Sequence, residues 1–278
     1  YGYLCGKILG DLGADVLKIE PPGGDPVRAD NGLTEGNGYY WLAFNGNKRG
    51  ITLNLETPQG QELLRRLAAK ADFLIESFAP GYLDGLGMGY AALAALNPRL
   101  IVTSITPFGQ SGPYRDYKGS DLIAMAMSGM MSLVGEPDRP PVRISLAQAP
   151  LWTGMYAAGG ALIAHWHREQ TGQGQQVDIS LQAGVLWALA NAPAFWIMNQ
   201  QNIGRAGSLM VGRSLTGAKF HTVHPCKDGY INFIIYGGDA GKRSNQALVE
   251  WLEEEGLCTD ALRQRNWDRF NVTHLTQA

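Results

Sequence analysis

A chain of 278 residues exceeds the usual size of one domain, so one large domain and part of a second are expected. Its 23 basic and 25 acidic residues leave a net charge of −2, with neither a basic footprint for nucleic acid nor a polybasic patch for a membrane surface. Hydrophobic residues supply 45% of the chain, enough for a sizeable core, and the scattered Cys5, Cys226 and Cys258 show no metal spacing, which points to a reducing, cytoplasmic setting.

Tyr3 to Leu12 has helical spacing, with Gly13 as its stop. Asp15 to Ile19 reads as a short buried strand, ended by Pro21-Pro-Gly-Gly. Ile51 to Leu55 alternates like a strand, and Thr57-Pro58 then supplies the N-cap and first residue of a helix running to about Ala71. Phe73 to Ile75 and Leu100 to Ile105 are further strands, separated by a helix around Tyr90 to Leu96. This alternation indicates parallel strand-helix-strand units, hence a doubly wound, Rossmann-like parallel sheet.

Asp121 to Ser128 and Thr153 to Arg168 read as buried helices rich in Ala, Gly and Met. Val177 to Ile179 is a strand, and Leu181 to Met198 one long apolar helix; no uninterrupted apolar run approaches the roughly 18 residues that span a bilayer. Composition then turns Gly-rich and polar, so 1–200 is expected as the large domain, 201–217 as a linker and 218–278 as the start of a smaller α+β domain. There, Phe220 to Val223 and Tyr230 to Ile235 form a hairpin through Lys227-Asp-Gly229, followed by a helix from Asn245 to Glu254.

Several blocks carry a resemblance, in order and across essentially the whole chain. They are Asp11-Leu-Gly-Ala-Asp-Val-Leu-Lys-Ile-Glu20-Pro-Pro-Gly-Gly-Asp25-Pro, Asn45-Gly-Asn-Lys48-Arg49-Gly, Asp72-Phe-Leu-Ile-Glu76-Ser-Phe-Ala-Pro80-Gly, Phe108-Gly-Gln-Ser-Gly112-Pro, Asp121-Leu-Ile-Ala-Met and Arg168-Glu-Gln-Thr-Gly172-Gln-Gly-Gln. Together they resemble the family III CoA-transferases, of the formyl-CoA transferase and carnitine CoA-transferase type. The resemblance implies an interlocked dimer, and CoA or an acyl-CoA as substrate with no covalently bound cofactor. Relatives begin with an earlier strand and continue further, so this chain is expected to be part of a longer polypeptide.

In that family an Asp four residues before the Gly matching Gly154 is the covalent nucleophile, which attacks the acyl-CoA thioester. Here that position is Pro150, and no Asp, Glu, Cys or Lys lies between Arg143 and Arg168. Proline offers neither a nucleophile nor an N–H to an oxyanion. Asp121 and Asp178 stand in blocks where relatives also carry acids, which suggests structural roles. The racemase branch's His is replaced by Ser120 in Gly119-Ser-Asp121. Where relatives have Asn-Phe-Arg-Pro-Gly and a following Arg toward the CoA phosphates, this chain has Ser77-Phe78-Ala79-Pro80-Gly81 and Gly85.

By the same resemblance the CoA-binding positions are Arg28, Lys48, Arg49, Leu53 and Phe78, with Lys48 and Arg49 equally readable as a solvated turn. Gln148, Trp152, Gly237 and Gly238 are possible substrate contacts, and Trp152 with Tyr156 would suit an aromatic or bulky acid or simply pack. His165 and His167 read as structural or surface residues, nothing pairs His221 and His224 with Cys226 as ligands, and no metal site is expected. The leading expectation is a transferase subunit with a degenerate site of its own, partnered by a catalytically competent paralogue or by itself as a homodimer, acting on an acyl-CoA and a small carboxylic acid. The alternatives are a self-sufficient transferase using another carboxylate and a CoA-responsive binding protein that is not an enzyme.

Overall fold

Apolar strands alternating with helices build the first unit, Tyr1–Ser132 with Arg143–Ile203. The structure is a computed structural model that describes residues 1–29, 38–189, 191–200, 202–210 and 218–276. In chain order the first unit holds α1 (Tyr3–Asp11), β1 (Leu17–Glu20), a 3-10 turn at Pro26–Ala29, α2 (Tyr39–Asn45), β2 (Arg49–Thr52), α3 (Pro58–Ala68), β3 (Phe73–Glu76), α4 (Tyr82–Gly85), α5 (Tyr90–Leu96) and β4 (Ile101–Thr106). It continues through α6 (Asp121–Met127), α7 (Met130–Leu133), α8 (Ala149–Thr171), β5 (Gln176–Ser180), α9 (Leu181–Ala188) and α10 (Asn191–Asn199).

The strands pair in parallel, but not as one sheet. β1 runs beside β2 with Leu17 opposite Arg49, while β4 lies between β3 and β5 with Phe73 opposite Ile101 and Val102 opposite Gln176. The fold is therefore mixed α/β with two parallel sheets where a single doubly wound sheet was expected. A shared core joins them: Leu64, Ala68, Met88, Leu93 and Leu100 pack together, with Ile19 and Leu53 against them. Every residue of β4 is buried, which a strand covered on both faces requires. Thr57 caps α3 as the sequence predicts, its hydroxyl accepting the Gly60 N–H at 3.1 Å.

Helix α8 begins at Ala149, ahead of the expected Thr153, and so takes in Pro150. A proline in the first turn has its φ pre-set and gives up an N–H that would find no helical partner anyway. The helix buries Ala149, Thr153, Gly154, Ala157, Ala158, Ala161, Ala164 and Arg168, one stripe at helical spacing. Small residues there let α1 come close: a Cβ on Gly154 would lie 2.8 Å from Leu4 Cβ.

The long helix expected from Leu181 to Met198 is two helices, bent by 69°. Pro193 explains the break, because a continuous helix would need its missing N–H to bond the Leu189 carbonyl. Among the described residues no single helix is long and apolar enough to cross a membrane.

The second unit is Leu133–Val142 with Gly204–Ala278. Its inserted segment is held locally, with Arg205 Nε donating to the Glu136 carbonyl at 3.2 Å. Gln201 and residues 211–217 of the expected linker lie outside the described residues. The hairpin is displaced from its expected strands. β6 (Leu209–Met210) pairs antiparallel with β7 (Phe220–His221), while β8 (Val223–Cys226) pairs with β9 (Gly229–Asn232), Cys226 standing opposite Gly229. The tight Lys227-Asp228 connection sets that register and draws the strand ends up to the turn. α11 (Gly238–Glu254) starts well before the expected Asn245, and α12 (Asp260–Arg263) follows.

Candidate functional site

The head of α8 is closed by a carboxylate from α6. Asp121 Oδ1 accepts the N–H groups of Gln148 at 2.7 Å and Ala149 at 2.8 Å, satisfying donors that a helix N-terminus leaves open. Its Oδ2 is buried and makes no hydrogen bond, although Arg143 Nε stands 3.3 Å away as an ion pair. Asp121 is thus built into the scaffold. Ser120 beside it caps α6 by accepting the Ile123 N–H at 3.3 Å. Pro150 sits one residue into α8, partly buried, with no reactive atom.

Around the carboxyl end of β1 lies a network of charge and aromatic rings. Arg28 makes a forked pair with the buried Glu20, Nε to Oε2 at 2.7 Å and Nη2 to Oε1 at 2.8 Å, and its guanidinium stacks 3.8 Å from the Trp41 ring centroid. Lys18 pairs with Asp25 at 2.7 Å and also faces Tyr3 and Trp41. Tyr3 OH donates to Asp25 at 2.8 Å, and burial, then that bond, raise its pKa far above the phenol range. Tyr40 stacks edge-on against Tyr3, and its own pKa is raised by burial and then by the charge of Asp121. That charge links the α8 head to the β1 network. Such sites at carboxyl ends of parallel strands are where open α/β sheets bind ligands.

The expected CoA-binding residues divide sharply. Arg28 sits in this network, its Nη1 outside the fork. Lys48 does not present its charge to a ligand: its Nζ donates to Tyr3 O at 2.8 Å, Phe44 O at 2.5 Å and Asn45 Oδ1 at 2.9 Å, which uses all three protons. It fastens α2 to α1 instead. Arg49 is exposed and forked onto Asp15, with Nε at 2.9 Å from Oδ1. Leu53 is partly buried and packs against the core cluster of Leu64, Ala68 and Leu93. Phe78 is exposed and stacks on Tyr82 at 4.6 Å.

Burial pulls the Lys48 pKa down to about 8, against an ordinary unfolded value of 10.5. Between those values the unfolded chain holds the extra proton, so stability rises as pH increases through that window. In Lys48→Met this rise disappears, which urea melts from pH 8 to 10 would record.

Of the possible substrate contacts, Gln148 donates its side-chain amide back to Leu146 O at 3.1 Å, and Trp152 is partly buried on α8. Tyr156, a turn on, lines an open cavity of about 520 Å³ with Met155, Ile163, Ser180 and Trp187; Trp152 does not. Gly237 and Gly238 belong to the second unit and start α11. A Cβ on Gly237 would lie 2.8 Å from Val272 N, and Gly238 holds φ at +67°, donating its N–H to Phe270 O at 3.1 Å. Packing demands glycine at 237 and the left-handed backbone favours it at 238, and Gly237→Ala should cost about 1–3 kcal/mol in a melt of the second unit. Among the described residues no three His, Cys, Asp or Glu side chains converge as metal ligands. His165 Nδ1 instead lies 2.8 Å from an Arg168 nitrogen.

Sequence reasoning missed Trp41, Tyr3 and Asp25 as parts of the site. Asp25 lay inside a recognised block, but the ring that carries Arg28 comes from α2, which had no pattern of its own.

Comparison with known proteins places this architecture. The succinyl-CoA:(R)-benzylsuccinate CoA-transferase subunit BbsE of Thauera aromatica is 39% identical over 92% of this chain and 62% of its own length. The succinyl-CoA–D-citramalate CoA-transferase of Chloroflexus aurantiacus is 45% identical over 93% of this chain and 63% of its own. The chain thus spans about three fifths of these relatives. A CAIB/BAIF family protein from Brucella suis has a solved structure that matches with a TM-score of 0.76 at 37% identity, covering 94% of this chain and 70% of that one. The family model described as CoA-transferase family III matches residues 1–278, and the chain belongs to that family.

Proposed function

We propose that this chain is a CoA-transferase subunit that has lost its own acyl-accepting carboxylate and works with a paralogous subunit that keeps one. The pair would move CoA between an acyl-CoA and a small carboxylic acid, within the interlocked arrangement that the resemblance implies. Pro150 at the head of α8 carries the proposal. The reaction needs an ionised carboxylate whose oxygen attacks the thioester carbonyl, expelling CoA thiolate and leaving a mixed anhydride. Proline supplies no such oxygen.

Other carboxylates of the first unit are already engaged, which supports the same view. Asp121 caps α8, Glu20 holds Arg28, Glu76 accepts the Phe78 N–H at 2.8 Å and Asp178 accepts the Gln110 N–H at 2.9 Å. Burial also raises the Glu76 pKa, which lowers the fraction in the attacking form. The Thauera relative is itself named as a subunit, in keeping with a division of labour.

The test is acyl trapping on the full-length chain, alone and mixed with a paralogue that has Asp at the equivalent of Pro150. With succinyl-CoA and hydroxylamine, the expected adduct maps to the paralogue and is absent from this chain. An adduct on a carboxylate of this chain, formed without a partner, overturns the proposal in favour of a self-sufficient enzyme. Turnover by neither protein nor mixture leaves only a CoA-responsive binding role.

A further inference from the structure

We propose that the second unit carries an oxyanion site of its own, built by Arg265 and Arg269 on an aromatic floor, for a phosphate group. An open cavity of about 470 Å³ is lined by Gln264, Arg265, Asn266, Arg269, Phe270 and His274 among others, and among the described residues no carboxylate lines it. The charges around it are already matched elsewhere. Arg263 takes Glu253 at 2.9 Å and Asp260 at 2.6 Å, and Lys242 takes Asp268 at 2.7 Å. Arg265 and Arg269 are left with no carboxylate partner among the described residues. Two guanidiniums facing one cavity repel each other unless an anion joins them.

The lining is rich in donors and poor in acceptors. Asn266 Oδ1 already accepts the N–H groups of Asp268 at 3.1 Å and Arg269 at 3.2 Å, so its amide NH₂ is the part still able to bind a ligand. Gln264 adds a second amide and His274 an imidazole. A phosphate, with several acceptor oxygens and at least one full charge, matches that set better than a neutral ligand.

The floor is fixed in place. Trp267 is buried, donates its indole N–H to Leu262 O at 3.3 Å and meets Phe270 edge-on at 5.2 Å. The Arg265 guanidinium carbon lies 5.7 Å from the Phe270 ring centroid, and both residues line the cavity. From behind, Gly237 packs against residues 270–272 and Gly238 bonds the Phe270 carbonyl. This gives Gly237 and Gly238 a supporting task that is separate from any substrate contact.

Inorganic phosphate and CoA both present this chemistry, and a titration separates them. The full-length protein is titrated with inorganic phosphate at constant ionic strength, following guanidinium and amide NMR shifts. Saturable binding is expected, weakened about tenfold or more in Arg265→Ala and in Arg269→Ala. Arg269→Lys, which keeps the charge but loses the fork, should be intermediate. Arg243→Ala, the same charge change on the exposed face of α11, should bind as the unaltered protein does. CoA that displaces phosphate assigns the site to a CoA phosphate, and CoA that does not assigns it to the free anion. No saturable binding, or equal weakening in Arg243→Ala and Arg269→Ala, means an adventitious ion only and overturns the proposal. Should the alanine variants unfold, Arg269→Lys decides: unchanged binding in it overturns the site equally.

Discussion

Pro150→Asp is expected to make this chain acylatable. Incubated with succinyl-CoA, the variant should gain an acyl mass on residue 150 that hydroxylamine removes, where the unaltered chain gains none. The position is well suited to a carboxylate. Residue 150 lies in the first turn of α8, where the helix dipole stabilises an anion by about 0.3–1 kcal/mol. Removing proline there breaks no hydrogen bond, and the two nearest N–H donors are already taken by Asp121, so a new carboxylate would not be pinned by them. An aspartate with an ordinary pKa of about 4 is ionised at neutral pH and needs no separate base.

Acylation of the single variant should still be inefficient, because the guanidinium expected at Gly85 is missing. A Cβ on Gly85 meets open space, so packing does not require glycine and an arginine can be accommodated. Adding Gly85→Arg to Pro150→Asp should raise kcat/KM for acylation about tenfold or more, mainly through KM, since the new group acts on binding. If the double variant stays unmodified with saturating acyl-CoA, residue 150 is not the position of the lost nucleophile.

The largest stability loss is expected at Arg168. Its side chain is almost wholly buried at the end of α8 and ties three elements together. Nη1 donates to Asp72 O at 2.9 Å and Arg99 O at 3.0 Å, Nη2 contacts His165 Nδ1 at 2.8 Å, and the guanidinium lies 5.2 Å from the Phe73 ring centroid. The ion pair with Asp72 at 3.2 Å contributes little, because that carboxylate is 75% exposed. The cost of Arg168→Met comes instead from two lost charge-assisted bonds to the Asp72 and Arg99 carbonyls just ahead of β3 and β4, although the Asp72 carbonyl keeps the Ile101 N–H at 3.1 Å. A hydrogen bond from a charged donor is worth about 1.5–3 kcal/mol, so losing the two is expected to cost about 3–5 kcal/mol. Chemical denaturation of the two variants would read this directly, with Arg168→Lys recovering only part because an ammonium cannot bridge the same carbonyls. A loss below about 1 kcal/mol in Arg168→Met would mean the clamp is ornamental.

Local rules located most elements. Thr57-Pro58 named the start of α3, Gly13 the end of α1, and the apolar runs at Phe73 and Leu100 the strands of the three-stranded sheet. These features rest on neighbouring residues and need no knowledge of the fold. Where distant parts compete, sequence reasoning failed. Leu181 to Met198 looked like one helix because apolar spacing outweighed a single Pro193. The β7 strand took Leu209–Met210 as partner because the tight turn at Lys227-Asp228 had already claimed β8 for β9.

The candidate site divides along the same line. The sequence alone determined that residue 150 has no nucleophile and that the surrounding blocks belong to a family, since both depend only on which residues are present. It could not tell which charges are free. Lys48 and Arg28 look alike as basic residues within the family-like blocks, yet one spends every proton on carbonyls while the other rests on Trp41 with a nitrogen outside its ion pair. Only the tertiary structure decides that, because a cation's availability depends on acceptors brought to it from elements far away in the chain.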